Sequence, residues 1–132
     1  MSNGFLKILV VEDSEALAEH YQTVLESKGH KVFVTHDGKE ELEIYEKELK
    51  SCTSGKLPFD LIISDNSMPE MNGVEAGQRI LNLVPDQKFF FVTGERGIVL
   101  DSLNVDGKNI DVEQKPLKTE KFLKKIELLT QN

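Results

Sequence analysis

Glu12 and Asp13 follow directly on the apolar run Leu6-Lys7-Ile8-Leu9-Val10-Val11, and Asp65 follows directly on Phe59-Asp60-Leu61-Ile62-Ile63-Ser64. Thr93 closes a third run, Phe89-Phe90-Phe91-Val92-Thr93, and Lys115-Pro116 ends a fourth that begins at Ile110. Carboxylates brought together without compensation repel, and at least one of their pKa values rises. A hard divalent cation such as Mg²⁺ relieves the repulsion, because it prefers carboxylate and carbonyl oxygens. With a hydroxyl and an ammonium beside them, such carboxylates make a set suited to phosphoryl transfer. A carboxylate can attack phosphorus to give an acyl phosphate. The metal, the hydroxyl and the lysine then neutralise the equatorial oxygens, and the work is mostly positioning. Taken singly, each residue has a plainer reading: an acidic residue after a strand is often a loop residue or an N-cap, and for Asp13 alone that reading is preferred. Five such residues at the ends of four strands, in chain order, are not explained by solvation.

The elements that must carry them follow a regular rhythm. Short apolar, β-branched runs read as strands buried on both faces. Between them lie helical patterns. Glu15 to Lys28 places Leu17, Tyr21, Val24 and Leu25 on one face, with Gly29 as a C-cap. Val32-Phe33-Val34 is a second strand, and about Lys39 to Lys50 is a helix with Leu42, Tyr45 and Leu49 inward. The polar stretch Ser51–Pro58 reads as a loop. A long loop from Asp65 to Gly73 leads into a helix bearing Ile80, Leu81 and Val84. A short helix near Arg96 to Leu103 is squeezed by the turn Asp106-Gly107-Lys108-Asn109, and Ile110 to Gln114 is the fifth strand. Thr119 is read as the cap of a last helix bearing Phe122, Leu123, Ile126 and Leu129. Five strands alternating with five helices imply an α/β fold with a parallel sheet covered on both faces. The arrangement expected for it is the doubly wound one of order 2-1-3-4-5. Such a sheet binds ligands beyond the carboxyl ends of strands 1 and 3, where the winding reverses. The three carboxylates stand at that place.

Composition narrows the possible classes. The 132 residues suit one domain, and 39% hydrophobic with 30% charged residues is ordinary for a globular chain. A formal charge of −7 disfavours nucleic acid or an anionic membrane as a direct partner. Lys115, Lys118, Lys121, Lys124 and Lys125 cluster near the C-terminus and read as a solvated face. Cys52 is the single cysteine, so neither an internal disulfide nor a thiolate metal cage can form. The start Met1-Ser2-Asn3-Gly4 does not read as a signal peptide, lacking a basic n-region and a long enough apolar run, and no apolar segment approaches the ~20 residues of a membrane span. The expected setting is reducing and aqueous, the cytoplasm by default.

In combination, Val10-Val11-Glu12-Asp13, Asp60-Leu61-Ile62-Ile63-Ser64-Asp65, Met68-Pro69-Glu70-Met71-Asn72-Gly73, Val92-Thr93-Gly94 and Lys115-Pro116 resemble the receiver domain of bacterial and archaeal response regulators. The resemblance runs from about Lys7 to Leu129. It implies that Asp65 is the phospho-acceptor, and that Asp13, Asp65 and the backbone carbonyl of Ser67 ligate Mg²⁺, with Glu12 reaching the metal through water. It also implies that Thr93 and Lys115 hold the phosphoryl oxygens, with Gly94 leaving room. The implied donors are histidine kinases or phosphotransfer proteins, with small acyl phosphates as substitutes. Output would pass to a downstream protein target, and residues 1–132 would form a single receiver domain without an output domain. Such a domain is a phospho-acceptor that phosphorylates and dephosphorylates itself, not a turnover enzyme.

Three features depart from the family pattern. Val112 occupies the place, three residues before the lysine, where receivers usually carry Phe or Tyr; Asn66 replaces a residue more often apolar; Ser51–Pro58 is long. Val112 motivates a rival reading, a docking module with a receiver fold that does not switch. A small phosphatase acting on external substrates is a second rival. Other motifs fail on inspection: Gly55-Lys56 lacks the remainder of a P-loop, and Pro69 sits where an EF-hand ligand belongs. A haloacid-dehalogenase-type site needs an Asp where Ser67 stands. His20, His30 and His36 are scattered and form no site.

Overall fold

The computed structural model describes residues 5–53, 55–68, 70–103 and 109–131. Pro69, the first four residues and the turn residues Asp106, Gly107 and Lys108 lie outside them. Five strands alternate with five helices: β1 (Lys7–Val11), α1 (Glu15–Ser27), β2 (Lys31–Thr35), α2 (Gly38–Ser51), β3 (Leu61–Ser64), α3 (Gly73–Leu83), β4 (Phe89–Thr93), α4 (Arg96–Ser102), β5 (Ile110–Gln114) and α5 (Thr119–Thr130). The strands form one parallel sheet in the order β2-β1-β3-β4-β5, as the sequence implies. The register pairs Val11 with Thr35 and with Ser64, so the central strands finish level with one another.

Alternation along each strand splits the core in two. Leu9, Val11, Ile62, Phe89, Phe91 and Val112 pack with Tyr45, Val74, Ile80 and Val99 on the α2–α3–α4 side. Ile8, Val10, Leu61, Ile63, Phe90 and Val92 pack with Tyr21, Leu25, Phe122 and Ile126 on the α1–α5 side. With both faces covered, β1, β3 and β4 have no wet side, which is why their sequences are continuous apolar runs. The α3 helix approaches the sheet through Gly77, where an added Cβ would stand 3.4 Å from the Phe91 ring.

At two helix starts the capping residue is not the one considered in the sequence: Asp13 only as the plain alternative to its site role, Thr119 as the expected cap. Asp13 is not the cap of α1; Ser14 is, its hydroxyl accepting from the Leu17 amide. Thr119 is the first residue of α5 rather than its cap, and its hydroxyl lies 3.1 Å from His20 Nε2 instead. The squeezed α4 does form, but with only seven residues. The C-terminal lysines are partly neutralised: Lys125 reaches Asp111 at 2.8 Å and Glu113 at 3.3 Å, and Lys121 reaches Glu113 at 3.4 Å.

Glu41 is wholly buried in α2, one turn before Tyr45, and neither carboxyl oxygen has a hydrogen-bond partner. Burial pushes its pKa up to about 8. A raised folded-state value means that the folded chain holds a proton that the unfolded chain releases. The stability this contributes is complete below the unfolded value of 4.5 and is lost as pH rises through 8. Urea midpoints should therefore fall between pH 5 and pH 8, at most by about 1.4 kcal/mol per pH unit. Glu41→Gln should flatten that dependence; an unchanged slope would remove Glu41 as its source.

Candidate functional site

The carboxyl ends of β1 and β3 are adjacent, and the residues that follow them meet. Oxygens of Glu12, Asp13 and Asp65 all lie within 4.8 Å of one another. Glu12 and Asp65 are buried, at 2% and 7% exposure, whereas Asp13 is open to solvent. Backbone bonds fix this geometry, with Asp65 N–H donating to the Val11 carbonyl at 3.1 Å and Glu12 N–H to that of Thr35 at 3.0 Å.

Lys115 arrives from the far edge of the sheet. Its Nζ donates to Glu12 Oε1 at 3.0 Å and to Asp65 Oδ2 at 2.9 Å, and its backbone N–H donates to the Thr93 carbonyl at 2.9 Å. The Lys115–Pro116 peptide is cis. Burial draws the Lys115 pKa down, but its bonds to Asp65 and Glu12 outweigh this and leave it raised. Glu12 is raised by burial, against the opposing effect of Ser14 N–H and Lys115. The Tyr21 hydroxyl is pushed up to about 12, chiefly by burial, with Glu12 and Asp65 adding to the rise and Lys115 opposing it.

The other Asp65 oxygen, Oδ1, accepts from Asn66 N–H at 2.6 Å. Thr93 is fully buried at the end of β4, and its hydroxyl accepts from Glu95 N–H at 3.0 Å. Ser67 sits on the exposed loop beyond Asp65, where it lines a pocket of about 340 Å³ with Asn66, Met68, Asn72, Glu95 and Ile98. Thus Lys115 is bonded to Glu12 and Asp65, Asp13 stands with these two carboxylates within 4.8 Å, Thr93 stands at the same sheet edge through its bond to Lys115, and Ser67 lies on the adjoining loop.

Sequence reasoning missed two local supports. The Ser64 hydroxyl donates to the Asp65 carbonyl at 2.7 Å, and Gly73 opens α3 against the same carbonyl. An added Cβ at Gly73 would lie 2.0 Å from Asp65 O, so no side chain fits there. Gly38 plays the matching part at the start of α2, donating to the Met71 carbonyl at 2.9 Å where a Cβ would be 2.5 Å away. Both glycines were visible in the sequence; the backbone each of them meets was not.

The response regulator receiver domain family matches residues 8–127, and the chain belongs to that family. Two-component response regulator 24 of Arabidopsis thaliana is 33% identical over 128 residues, covering 93% of this chain and 83% of the relative. A CheY-like receiver domain protein of Methanospirillum hungatei superposes with a TM-score of 0.74 at 26% identity, over 96% of this chain and 94% of that one. The fold is shared with the response regulator TrrA of Thermotoga maritima, solved in complex with Mg²⁺-BeF, at a TM-score of 0.72 and 23% identity over 93% and 97% of the chains. The chain is thus a receiver domain of two-component signalling. Among the described residues no helix is long and apolar enough to cross a membrane.

Gly73→Ala tests how tightly the acceptor loop is built. Overpacking against the Asp65 carbonyl should cost about 2–3 kcal/mol in urea unfolding. A loss below about 0.5 kcal/mol would mean that the loop yields and does not hold Asp65 in place.

Proposed function

We propose that this domain is switched by Mg²⁺-dependent phosphorylation of Asp65, and that the switch alters its contact with a downstream protein. The observation that carries this reading is the buried Asp65 carboxylate, held between Lys115 Nζ at 2.9 Å and Asn66 N–H at 2.6 Å beside two further carboxylates. The donor would be the phosphohistidine of a sensor kinase or phosphotransfer protein, or a small acyl phosphate. An Asp65 oxygen forms the new O–P bond while the donor's bond to phosphorus breaks, its electron pair passing to the imidazole nitrogen of a phosphohistidine or to the departing carboxylate oxygen of an acyl phosphate.

The donor set fits Mg²⁺. Its oxygens are hard, they lie within 4.8 Å of one another, and one ammonium leaves three carboxylates under-compensated. Asp13, Asp65 and the Ser67 carbonyl would hold the ion, with Glu12 acting through water. The ion would supply charge neutralisation at the phosphoryl oxygens. Lys115, already bonded to Asp65, would move with the acceptor and hold one phosphoryl oxygen. Thr93 would donate its hydroxyl hydrogen to another, since its lone pair already accepts from Glu95. These residues position and neutralise; none is needed as a base, because the acceptor is a carboxylate. Self-phosphorylation and hydrolysis of the acyl phosphate are the only chemistry assigned, in a cytoplasmic setting.

Intact mass after incubation with acetyl phosphate and Mg²⁺ tests the proposal. Wild type should gain one phosphate, sensitive to hydroxylamine, and Asp65→Asn should gain none; no gain in wild type after a fast quench would overturn the assignment. Asp13→Ala should abolish the gain through loss of the metal, and normal labelling of that variant would misplace the ion. Lys115→Ala should bind Mg²⁺ at least as tightly as wild type, because it removes a competing cation from Glu12 and Asp65. A tenfold loss of Mg²⁺ affinity would overturn the role given to Lys115.

A further inference from the structure

Asn66 is the departure from the family pattern that the site does not explain. It is 4% exposed and bonds in three directions. Its backbone N–H donates to Asp65 Oδ1, its side-chain carbonyl accepts from Val74 N–H at 2.9 Å in the first turn of α3, and its side-chain amide donates to Glu95 Oε1 at 2.9 Å. The reverse amide orientation would set a carbonyl against a carboxylate and leave Val74 without an acceptor, so the geometry has one solution. Asn66 therefore joins the acceptor, α3 and the residue that opens α4.

The start of α4 has few other fastenings. Glu95 is its N-cap, yet the Glu95 side chain makes no capping bond to its own helix, being engaged by Asn66. From the other side, Gln114 accepts from Arg96 N–H at 3.3 Å and donates to the Gly94 carbonyl at 3.0 Å, and Arg96 reaches the Val112 carbonyl at 3.4 Å. Glu95 N–H donates to Thr93 Oγ1 at 3.0 Å. Glu95 is thus bonded to Asn66, the immediate neighbour of Asp65, and to Thr93, and its carboxylate lines the same small pocket as Ser67. A phosphoryl group replaces the single negative charge of the Asp65 carboxylate by close to two, a net gain of about one on the far side of Asn66 from the Glu95 carboxylate.

We propose that Asn66 is a positioning residue: it ties Glu95, and with it the first turn of α4, to the acceptor loop while Asp65 is unmodified, and it lets Glu95 go when charge arrives on Asp65. The release step rests on the phospho-acceptor reading above; the tie itself does not. Like-charge repulsion breaks the bond that holds Glu95, and α4, only seven residues long, moves with its cap. The coupling bypasses β5, where Val112 has no ring to turn.

Amide hydrogen exchange at Val99–Leu103, the amides bonded within α4, measured in the full chain by NMR before and after addition of Mg²⁺ and beryllofluoride, tests this. Wild type should be protected before addition and exchange about tenfold faster afterwards, the scale of one charge-assisted hydrogen bond. Asn66→Ala should exchange fast before addition and change little on it. Glu95→Ala, which leaves the acceptor loop intact, should behave alike. Glu95→Gln keeps an acceptor for the Asn66 amide but carries no charge, so it should stay protected in both states. A purely structural Asn66 would not distinguish Glu95→Gln from wild type. Wild-type protection in both alanine variants before addition would overturn the tie, and opening of Glu95→Gln on beryllofluoride would overturn charge as the trigger. Bound beryllofluoride, read by fluorine NMR, separates the two proposals: its absence in wild type would overturn the acceptor reading, while the comparison before addition would still decide the tie.

Discussion

One lysine shared between two buried carboxylates is the contact on which the arrangement depends. Lys115 lies 103 residues from Glu12 and 50 from Asp65 in the chain, yet it is bonded to both. For that to occur, β1 and β3 must be neighbours, β4 must follow, and β5 must end level with them; an order in which β1 and β3 were separated would strand a buried carboxylate without its cation. Breaking a buried pair from one side leaves an uncompensated charge, which is far costlier than never having formed the pair. The topology and the electrostatics thus constrain each other. The compensation is also incomplete, because burial still raises Glu12 although Lys115 is in place. Such a site retains an appetite for further positive charge, and that is its chemical character.

How much of this was legible in the sequence depends on whether the signal is local. Continuous apolar runs marked β1, β3 and β4, because strands covered on both faces leave no polar alternation to misread, and the helices between strands implied parallel pairing. β5, with Asp111 and Glu113 between its apolar residues, carried a poorer signal. The residues that directly follow strand ends were equally legible, since the end of a strand fixes where the next side chain goes. Helix starts were less so. Ser14 and Asp13 are neighbours with equal capping chemistry, and only backbone geometry chooses between them. Thr119 carries a capping residue's side chain one position too late.

Asn66 was readable as unusual but not as meaningful, because its partner Glu95 is 29 residues away and on another strand's loop. Glu41 was masked differently. The inward face of α2 was read from Leu42, Tyr45 and Leu49, a stripe drawn from apolar residues alone that left Glu41 out. Its spacing of four from Tyr45 puts it on the buried face regardless. Periodicity was the better guide there than residue type.

The two halves of the site differ in how they are held, and that difference bears on signalling. Glu12, Asp65 and Thr93 are the next or last residues of strands wholly inside the core, so moving them would disturb the ladders between β2, β1, β3 and β4. The opening of α4 is held instead by individual side-chain bonds from Asn66, Gln114 and Arg96 and by the Thr93 hydroxyl. Elements held by a few partly exposed bonds open at low cost, whereas core strands open only with the whole domain. A charge added at Asp65 therefore meets a rigid floor beneath it and a loosely tied helix beside it. The same chemistry at a site walled entirely by strands would be absorbed as strain, and at a site walled entirely by loops it would dissipate. One rigid wall and one yielding wall are what the proposed switch would need to turn a local change of charge into a displacement in a defined direction.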